Sequence, residues 1–279
     1  MKKYLLAILA AGVLVSCSKE SGQDGDQGVI TDEIALASGK VVSSTKAPIE
    51  SENTDLPKVA QTVSFLRLSD QANATAAAAD WNEAGISAPA TTGGRAKGRI
   101  DALIGTDGSV QFRAAGTTTE EKQYYNSNPS LYSWMVGYAP AATLTEDAGA
   151  NPVKAEWAIN GTTDVIVCDA IGANKAIKKT ASPHLTPQFH HLLSWIEFQV
   201  LADGQEAIDT WGGVQSITIV NTANKVEYSL APFAATTPTA TFSGTQNLAT
   251  KTYPADGTPA LQALTTTSAL YSYALTEPN

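Results

Sequence analysis

The stretch Tyr132-Ser133-Trp134-Met135-Val136-Gly137-Tyr138 decides the fold class of this chain. Its large side chains fall at every second position, so Tyr132, Trp134, Val136 and Tyr138 share one face of an extended strand. Residues 192–200 repeat the same alternation. Because successive side chains of a strand point to opposite faces of its sheet, a period of two predicts strands with one face in a core.

Further strand candidates recur along the chain, and turn sequences such as Asn160-Gly161 separate them. The candidates are residues 61–68, 109–114, 131–139, 154–160, 163–169, 192–202, 214–221 and 226–230. Many short strands with turns between them predict a mainly β protein built as a β-sandwich. The alanine-rich residues 71–83 favour a short surface helix or a loop excursion, and we expect loops with weak edge strands over residues 231–269.

The N-terminus has the pattern of an export signal. Lys2 and Lys3 precede an apolar run, residues 4–15, that is too short to span a bilayer. The run ends in Leu14-Val15-Ser16-Cys17, which fits the bacterial lipobox. We therefore predict a signal peptide at residues 1–16, a lipidated Cys17 that anchors the protein to a membrane, and a flexible tether at residues 17–28. An ordinary secretory peptide with a chance cysteine is the alternative.

Charge and cysteine content argue against a nucleic-acid-binding protein and against a protein held together by internal disulfides. The net charge is −9 and the isoelectric point is about 4.8, whereas a nucleic-acid partner requires a basic face. Cys168 is the only cysteine besides Cys17, so lipidation of Cys17 leaves no internal disulfide and the fold depends on its core. Within an apolar run, Cys168 is expected to be a buried, inert thiol.

The sequence contains no pattern typical of an active site or a metal centre. His184, His190 and His191 lie close together, but adjacent strand residues point to opposite faces, which favours hydrogen-bonded histidines over a zinc site. Asp164 and Asp169 are five residues apart and are interpreted as solvated residues beside turns. A phosphate-binding loop, a nucleophile elbow and a Cys-x-x-Cys pair are all missing from the sequence. We predict no enzymatic activity, no catalytic residue, no metal and no cofactor.

The tryptophans Trp134, Trp157, Trp195 and Trp211 allow two interpretations. Their flat rings could form a platform for sugars. At alternating positions of strands, packing in a core is the commoner use of such rings.

A change in composition over residues 171–188, which contain three lysines and two prolines, marks a candidate domain junction. We therefore divide the chain into an N-terminal β-sandwich domain, residues 29–180, and a C-terminal one, residues 181–279.

Four stretches resemble the fimbrillin family of Bacteroidales type V pili. The strongest is Pro187-Gln188-Phe189-His190-His191-Leu192-Leu193-Ser194-Trp195-Ile196-Glu197-Phe198-Gln199-Val200, which is similar to the Phe-x-His-x-Leu-x-x-Ile-x-Phe-x-Val signature that opens the family's second domain. Trp211-Gly212-Gly213-Val214 follows it, as in the family. Trp134-Met135-Val136-Gly137-Tyr138-Ala139-Pro140 and Trp157-Ala158-Ile159-Asn160-Gly161-Thr162-Thr163-Asp164-Val165 are similar to the closing strands of its first domain.

The resemblance implies two tandem transthyretin-like β-sandwich domains in an outer-membrane lipoprotein precursor. It also implies that a trypsin-like protease cuts in a loop beyond the first strand, and that removal of this strand leaves a groove for a strand of another subunit. The expected partners are thus other fimbrillin subunits, the outer membrane and the protease, and the expected location is the cell surface and the fimbrium, with a role in adhesion.

Residues 29–46 match the removable strand and its loop, with Ile34, Leu36, Val41 and Val42 as the strand side chains. A sheet edge that loses its neighbour exposes unpaired backbone groups and an apolar cleft, and an inserted strand satisfies both.

Lys46, in a Ser/Thr/Pro-rich loop, is the predicted processing site. Lys40 and Arg67 are rival sites, although Arg67 lies inside a strand candidate. A solvated loop lysine without a processing role is the alternative for Lys46.

The chain ends at Asn279, whereas members of the family generally continue through further strands. The second domain is therefore expected to be incomplete, as a fragment, a shortened member or a divergent end, and shaft, tip and anchor roles all stay open. The alternative function is a lipid-anchored surface adhesin or glycan-binding β-sandwich protein that does not polymerise.

Overall fold

The structure is a computed structural model. It describes residues 33–34, 36, 40–41, 50–51, 54–57, 60–91, 94–147, 151–180, 187–230, 240–252, 262–267 and 269–278. The predicted signal peptide, Cys17, the tether, Val42 and Lys46 lie outside these residues.

Strands dominate the described part of the chain. In the first half they are β1 Lys40–Val41, β2 Glu50–Ser51, β3 Thr54–Pro57, β4 Gln61–Arg67, β5 Gly98–Ile104, β6 Val110–Arg113, β7 Ser133–Ala139, β8 Thr143–Asp147, β9 Asn151–Ala158 and β10 Ile166–Ala173. In the second half they are β11 Gln188–His191, β12 Ser194–Val200, β13 Gly213–Val214, β14 Thr218–Thr222, β15 Lys225–Ser229, β16 Ala240–Ser243, β17 Gln246–Ala249, β18 Lys251–Thr252, β19 Gln262–Ala263 and β20 Ala269–Thr276.

Helices are short and few among the described residues. A 3-10 helix spans Ala76–Ala78, α1 spans Lys175–Thr180, and α2 spans Gln205–Trp211. The mainly β fold class is confirmed. The alanine-rich segment forms only the single 3-10 turn. Strand β5 was not among the predicted strands, although Ile100, Ala102 and Ile104 alternate in it with Arg99 and Asp101.

The described strands form one large sheet and several smaller ones. The large sheet has seven strands in the order β1-β11-β10-β7-β4-β5-β6, and every neighbouring pair in it is antiparallel except β1 with β11. A four-stranded sheet has the order β16-β15-β9-β8, and a three-stranded sheet has the order β12-β20-β18. The remaining pairs are β2-β3, β13-β19 and β14-β17.

The first core lies between the seven-stranded and the four-stranded sheet, as expected for a β-sandwich. The rings of Tyr138 from one sheet and Trp157 from the other meet edge to face, with centroids 6.0 Å apart. Buried side chains on the two inner faces include Leu66, Val136 and Val167 from the large sheet and Val153, Ala155 and Val226 from the smaller one. Burial of apolar area on these two faces holds the sheets together.

The second core lies on the opposite face of the seven-stranded sheet. One row of paired residues crosses that face from Phe189 through Cys168 and Gly137 to Phe65. The rings of Phe189 and Phe65 approach over the two small residues, with centroids 6.1 Å apart, and Phe65 meets Phe112 at 5.9 Å. Because the flat spacing of β11 and β4 is about 14 Å, the two rings lean inward, and Gly137 leaves the room for them.

Strands from both sides of residue 180 share sheets and cores. Strand β11 pairs with β10, and β15 pairs with β9. Leu230 and Leu275 belong to the first core. The predicted boundary therefore passes between strands that pair with one another, and the tandem division stays a prediction.

None of the helices in the described residues combines the length and the apolar composition needed to cross a bilayer.

Candidate functional site

The opening segment, which is the predicted removable segment at residues 29–46, contributes two side chains to the second core. Ile34 is 1% exposed and Leu36 is 8% exposed, and both belong to the cluster that contains Phe65, Phe112 and Phe189. Their spacing of two matches an extended chain with one face on the core. The segment therefore forms part of the second core.

The main chain ties this segment to residues 122–124. The Ile34 N–H donates a hydrogen bond to the Gln123 carbonyl oxygen at 2.7 Å, and Glu33 forms an isolated antiparallel bridge with Tyr124. The Lys122 ammonium lies 3.0 Å from the Glu33 carboxylate. This hydrogen bond and the carboxylate charge raise the pKa of Lys122. Since both side chains are about half exposed, the ion pair adds little stability.

Arg67 lies directly behind this contact and is completely buried. Its guanidinium donates to the carbonyl oxygens of Gly94 at 2.6 Å and Tyr124 at 2.8 Å, and to Oε1 of Gln123 at 2.8 Å. It also lies 3.2 Å from the Asp70 carboxylate. One side chain thus organises the backbone on which the opening segment rests.

Desolvation by burial lowers the pKa of Arg67, and the Asp70 charge opposes that effect. Asp70 also accepts hydrogen bonds from Ser133 Oγ at 2.6 Å and Asn126 Nδ2 at 3.1 Å. These bonds satisfy a carboxylate that would be costly to bury without partners. Because Arg67 is completely buried, a protease cannot reach this rival processing site in the folded protein.

Lys40 and Val41 of the opening segment form β1 at the other edge of the large sheet. This strand pairs in parallel with β11, with Lys40 opposite Gln188 and Val41 opposite Phe189. Because β1 is the outermost strand, its removal would leave the outer backbone edge of β11 unpaired. The rival site Lys40 thus lies within this edge strand.

The positions of Leu36 near β6 and of Lys40 in β1 show how strongly the seven-stranded sheet curls. Four residues from Leu36 to Lys40 reach at most about 14 Å. In a flat sheet, β1 and β6 would lie roughly 29 Å apart. Yet Leu36 lines a cavity with Val110 and Phe112 of β6. Leu36 and β1 therefore lie on the two sides of a cleft between the edges of a curled sheet.

The cavity lies where the opening segment meets β6. Its volume is about 130 Å³, and its apolar lining comes from Ile34, Leu36, Val110 and Phe112. Glu33 and Lys122 also line it. The resident segment thus leaves part of the cleft unfilled.

His191, at the C-terminal end of β11, forms a buried contact with Asp164. The His191 Nδ1 atom lies 2.7 Å from an Asp164 carboxylate oxygen, and both side chains are nearly inaccessible. The interpretation of Asp164 as a solvated residue is therefore wrong. Hydrogen bonding by the His191 side chain stays a prediction. His190 packs edge to face on Tyr228, and burial lowers its pKa. His184 lies outside the described residues, which contain no metal-binding cluster.

Cys168 lies in the row of residues beneath the phenylalanine rings and is 4% exposed. Burial, followed by the nearby Asp169 charge, raises the pKa of its thiol to about 12. The thiol therefore stays protonated at neutral pH, as expected for an inert core cysteine.

The tryptophans divide into buried and exposed members. Trp134 and Trp157 are buried, which confirms core packing for both. Trp195 stacks on Tyr273 with ring centroids 4.3 Å apart. Trp211, at the end of α2, is 75% exposed.

Sequence reasoning missed the residues that receive the opening segment. Lys122, Gln123 and Tyr124 follow a polar stretch without strand periodicity. Arg67 was considered only as a protease site. Neither its role beneath the segment nor the cavity has a signal in sequence spacing.

Comparisons with known proteins add a distant structural similarity. No protein-family model matches the chain, and no curated protein matches it. Among solved structures, the chain is similar to a "putative cell adhesion protein" from Bacteroides uniformis ATCC 8492. The two are 14% identical with a TM-score of 0.48, over 88% of this chain and 74% of the other. A likeness this distant does not identify a family.

Proposed function

We propose that this protein is a structural or accessory subunit of a cell-surface pilus, exported as an outer-membrane lipoprotein precursor and assembled by protease-triggered strand exchange in support of adhesion. One observation carries the proposal. The opening segment places Ile34 and Leu36 in the cleft between two sheet edges and contains the edge strand β1. The fimbrillin resemblance of residues 187–200 supports the same function.

Loss of the opening segment would have two costs. It would expose the apolar cleft, and it would leave the outer edge of β11 without hydrogen-bond partners. An extended segment from another subunit would relieve both, because main-chain hydrogen bonds and side-chain pockets act together in strand addition. A neighbouring subunit is thus the natural occupant.

The pairing between β1 and β11 is suited to exchange. It spans two residues, and parallel pairs are slightly less stable per residue than antiparallel ones. Short edge strands open more easily than central ones. The seven-residue central strands β4, β5 and β7 would stay in place while the edge is exchanged.

In this proposal Cys17 carries the lipid anchor and a trypsin-like protease cuts after Lys46. Cleavage there would separate β1 and the rest of the opening segment from β4. Lys40 is the rival site, and it would have to leave the edge of the sheet before a protease could bind it. The protein has a structural role here and no catalytic one.

Limited trypsin digestion of the purified full chain tests the proposal. We expect a ladder of polymers on a gel run without boiling, filaments by electron microscopy, and an intact mass that locates the cut at Lys46. Lys46→Gln should abolish the ladder, whereas Lys154→Gln, in the four-stranded sheet, should leave it unchanged. Protein that is cut at Lys46 or Lys40 and stays monomeric would overturn the proposal.

The exposure of Trp211 favours a second candidate, a lipid-anchored glycan-binding protein that does not polymerise. An exposed indole can stack on a sugar ring. In this case the trypsin-treated protein stays monomeric, and Trp211→Ala abolishes binding on a glycan array. Unchanged glycan binding by Trp211→Ala would exclude this use of the ring.

A further inference from the structure

We propose that the cleft under Glu33, Ile34 and Leu36 is underfilled by its resident segment. It selects a strand of a second subunit with a larger apolar side chain at position 36 and an acidic residue at position 33. The inference rests on the proposed function and names the chemistry of the incoming strand.

The cavity supplies the first argument. About 130 Å³ remains beside Leu36, and Val110 and Phe112 form part of its wall. The cavity opens partly to solvent on its polar side, where Gln111 and Glu120 also line it, so the unfilled space borders the core and does not lie inside it. Leucine at this position therefore leaves contacts unmade that a longer or aromatic side chain would make.

The charges around the cavity supply the second argument. Lys122 has Glu33 as its ion-pair partner at 3.0 Å, and Glu33 belongs to the opening segment. When that segment leaves, Lys122 loses this partner. Glu120, which also lines the cavity, stays behind, and its charge still favours the ammonium form of Lys122 to a smaller extent than Glu33 does, while it accepts a hydrogen bond from Gln111 at 3.4 Å. An incoming carboxylate would restore the ion pair with Lys122.

The backbone sets the conformation of the incoming chain. Ile34 donates its N–H to the Gln123 carbonyl, and the buried side chains at positions 34 and 36 require an extended segment. A second subunit that presents a strand meets this requirement, whereas a small apolar molecule would not form the main-chain hydrogen bond.

The filled cavity and the ion pair with Lys122 contribute unequally to the affinity for the incoming strand. Each methylene-sized group newly buried strengthens binding about fourfold. A half-exposed ion pair strengthens it at most about fivefold, and often not at all. The filling of the cavity should therefore dominate affinity, and the acidic residue should mainly set the register of the strand.

Labelled peptides test the inference on trypsin-treated full chain. The peptides correspond to residues 31–42 with leucine at position 36, or with the substitution Leu36→Ala or Leu36→Phe. Binding is measured by fluorescence anisotropy. An underfilled cleft predicts that affinity rises from alanine to leucine and again from leucine to phenylalanine, with the last step roughly four- to tenfold.

A second peptide pair tests the charge. Glu33→Gln in the peptide should weaken binding to the unaltered protein by about two- to fivefold. The same change should have no effect on protein that carries Lys122→Gln. Lys154→Gln, whose ion pair with Glu227 lies in the other sheet, is the matched control and should behave like the unaltered protein.

Three outcomes would count against the inference. If the peptides bind but phenylalanine binds no better than leucine, the cleft is already full and the selection for a larger side chain is overturned, while strand exchange stands. If Glu33→Gln weakens binding equally with and without Lys122, the acidic requirement is overturned. If no peptide binds to cleaved protein, this inference and the proposed strand exchange both fail.

Discussion

Arg67→Met removes the guanidinium that supports the opening segment, and we expect it to lower the free energy of unfolding by about 3–5 kcal/mol. The side chain is completely buried, so no water can replace its hydrogen bonds. The substitution leaves the carbonyl oxygens of Gly94 and Tyr124 without this donor and the Asp70 carboxylate without its cation. Breaking a buried ion pair costs on this scale because the remaining charge is uncompensated.

Urea unfolding followed by tryptophan fluorescence measures the effect. Arg113→Met is the matched control, since Arg113 is only partly buried on the edge strand β6, and it should change stability by about 0.5 kcal/mol or less. Adding Asp70→Asn to Arg67→Met should recover part of the loss, because it removes the unpaired charge.

Hydrogen exchange separates the local effect from the global one. The Ile34 amide donates to the Gln123 carbonyl, and Arg67 positions that residue. In Arg67→Met the Ile34 amide should lose more protection than the Val226 amide in the other sheet.

If Arg67→Met does not fold, Gln123→Met removes a single partner of the guanidinium, and we expect the free energy of unfolding to fall by about 1 kcal/mol with the same local effect on the Ile34 amide. A stability change below about 1 kcal/mol for Arg67→Met, or uniform loss of protection, would refute this reasoning.

Three further outcomes follow from the cores and their titratable groups. Gly137→Ala should cost about 1–3 kcal/mol in a urea titration, because its Cβ would lie 2.9 Å and 3.1 Å from the two phenylalanine rings over it, and unchanged stability would show that the rings move freely. The Cys168 thiol, with its pKa raised to about 12, should react with Ellman's reagent only in denaturant, and labelling of the folded protein at pH 8 would contradict its burial. For Glu277, burial raises the pKa, but hydrogen bonds from Thr276 Oγ and the Ala223 N–H outweigh it and leave the pKa lowered. Since the pKa is lower in the folded protein, the contribution is present above the unfolded pKa and is lost as the pH falls through the folded one, so Glu277→Gln should flatten the acid limb of a stability-against-pH curve. Parallel curves for the two proteins would show that the bonds to Glu277 do not form in solution.

The alternation in residues 132–138 correctly predicted strand β7, but the strand is buried on both faces. Trp134 and Val136 point into the first core, while Met135 and Ala139 belong to the second. A period of two shows that a strand has two different faces. It does not show whether the second face is covered, because that depends on distant parts of the chain.

The fimbrillin-like signature at residues 187–200 also shows that a local pattern does not reveal which sheet a strand joins. Residues 187–200 were predicted to open a second domain. In the structure their first part forms β11 in the seven-stranded sheet, and their second part forms β12 beside β20. The residues between them carry no turn sequence that would have revealed the change of sheet.

Periodicity, turn chemistry and composition by themselves determined that the chain is mainly β, that Trp134 and Trp157 pack in a core, and that Cys168 is a buried thiol. These features depend on local side-chain size and spacing. The support of the opening segment by Arg67, the contact of Asp164 with His191 and the cavity beside Leu36 became visible in the folded chain alone. Such contacts join residues far apart in the chain, and the curl and register of a sheet bring them together.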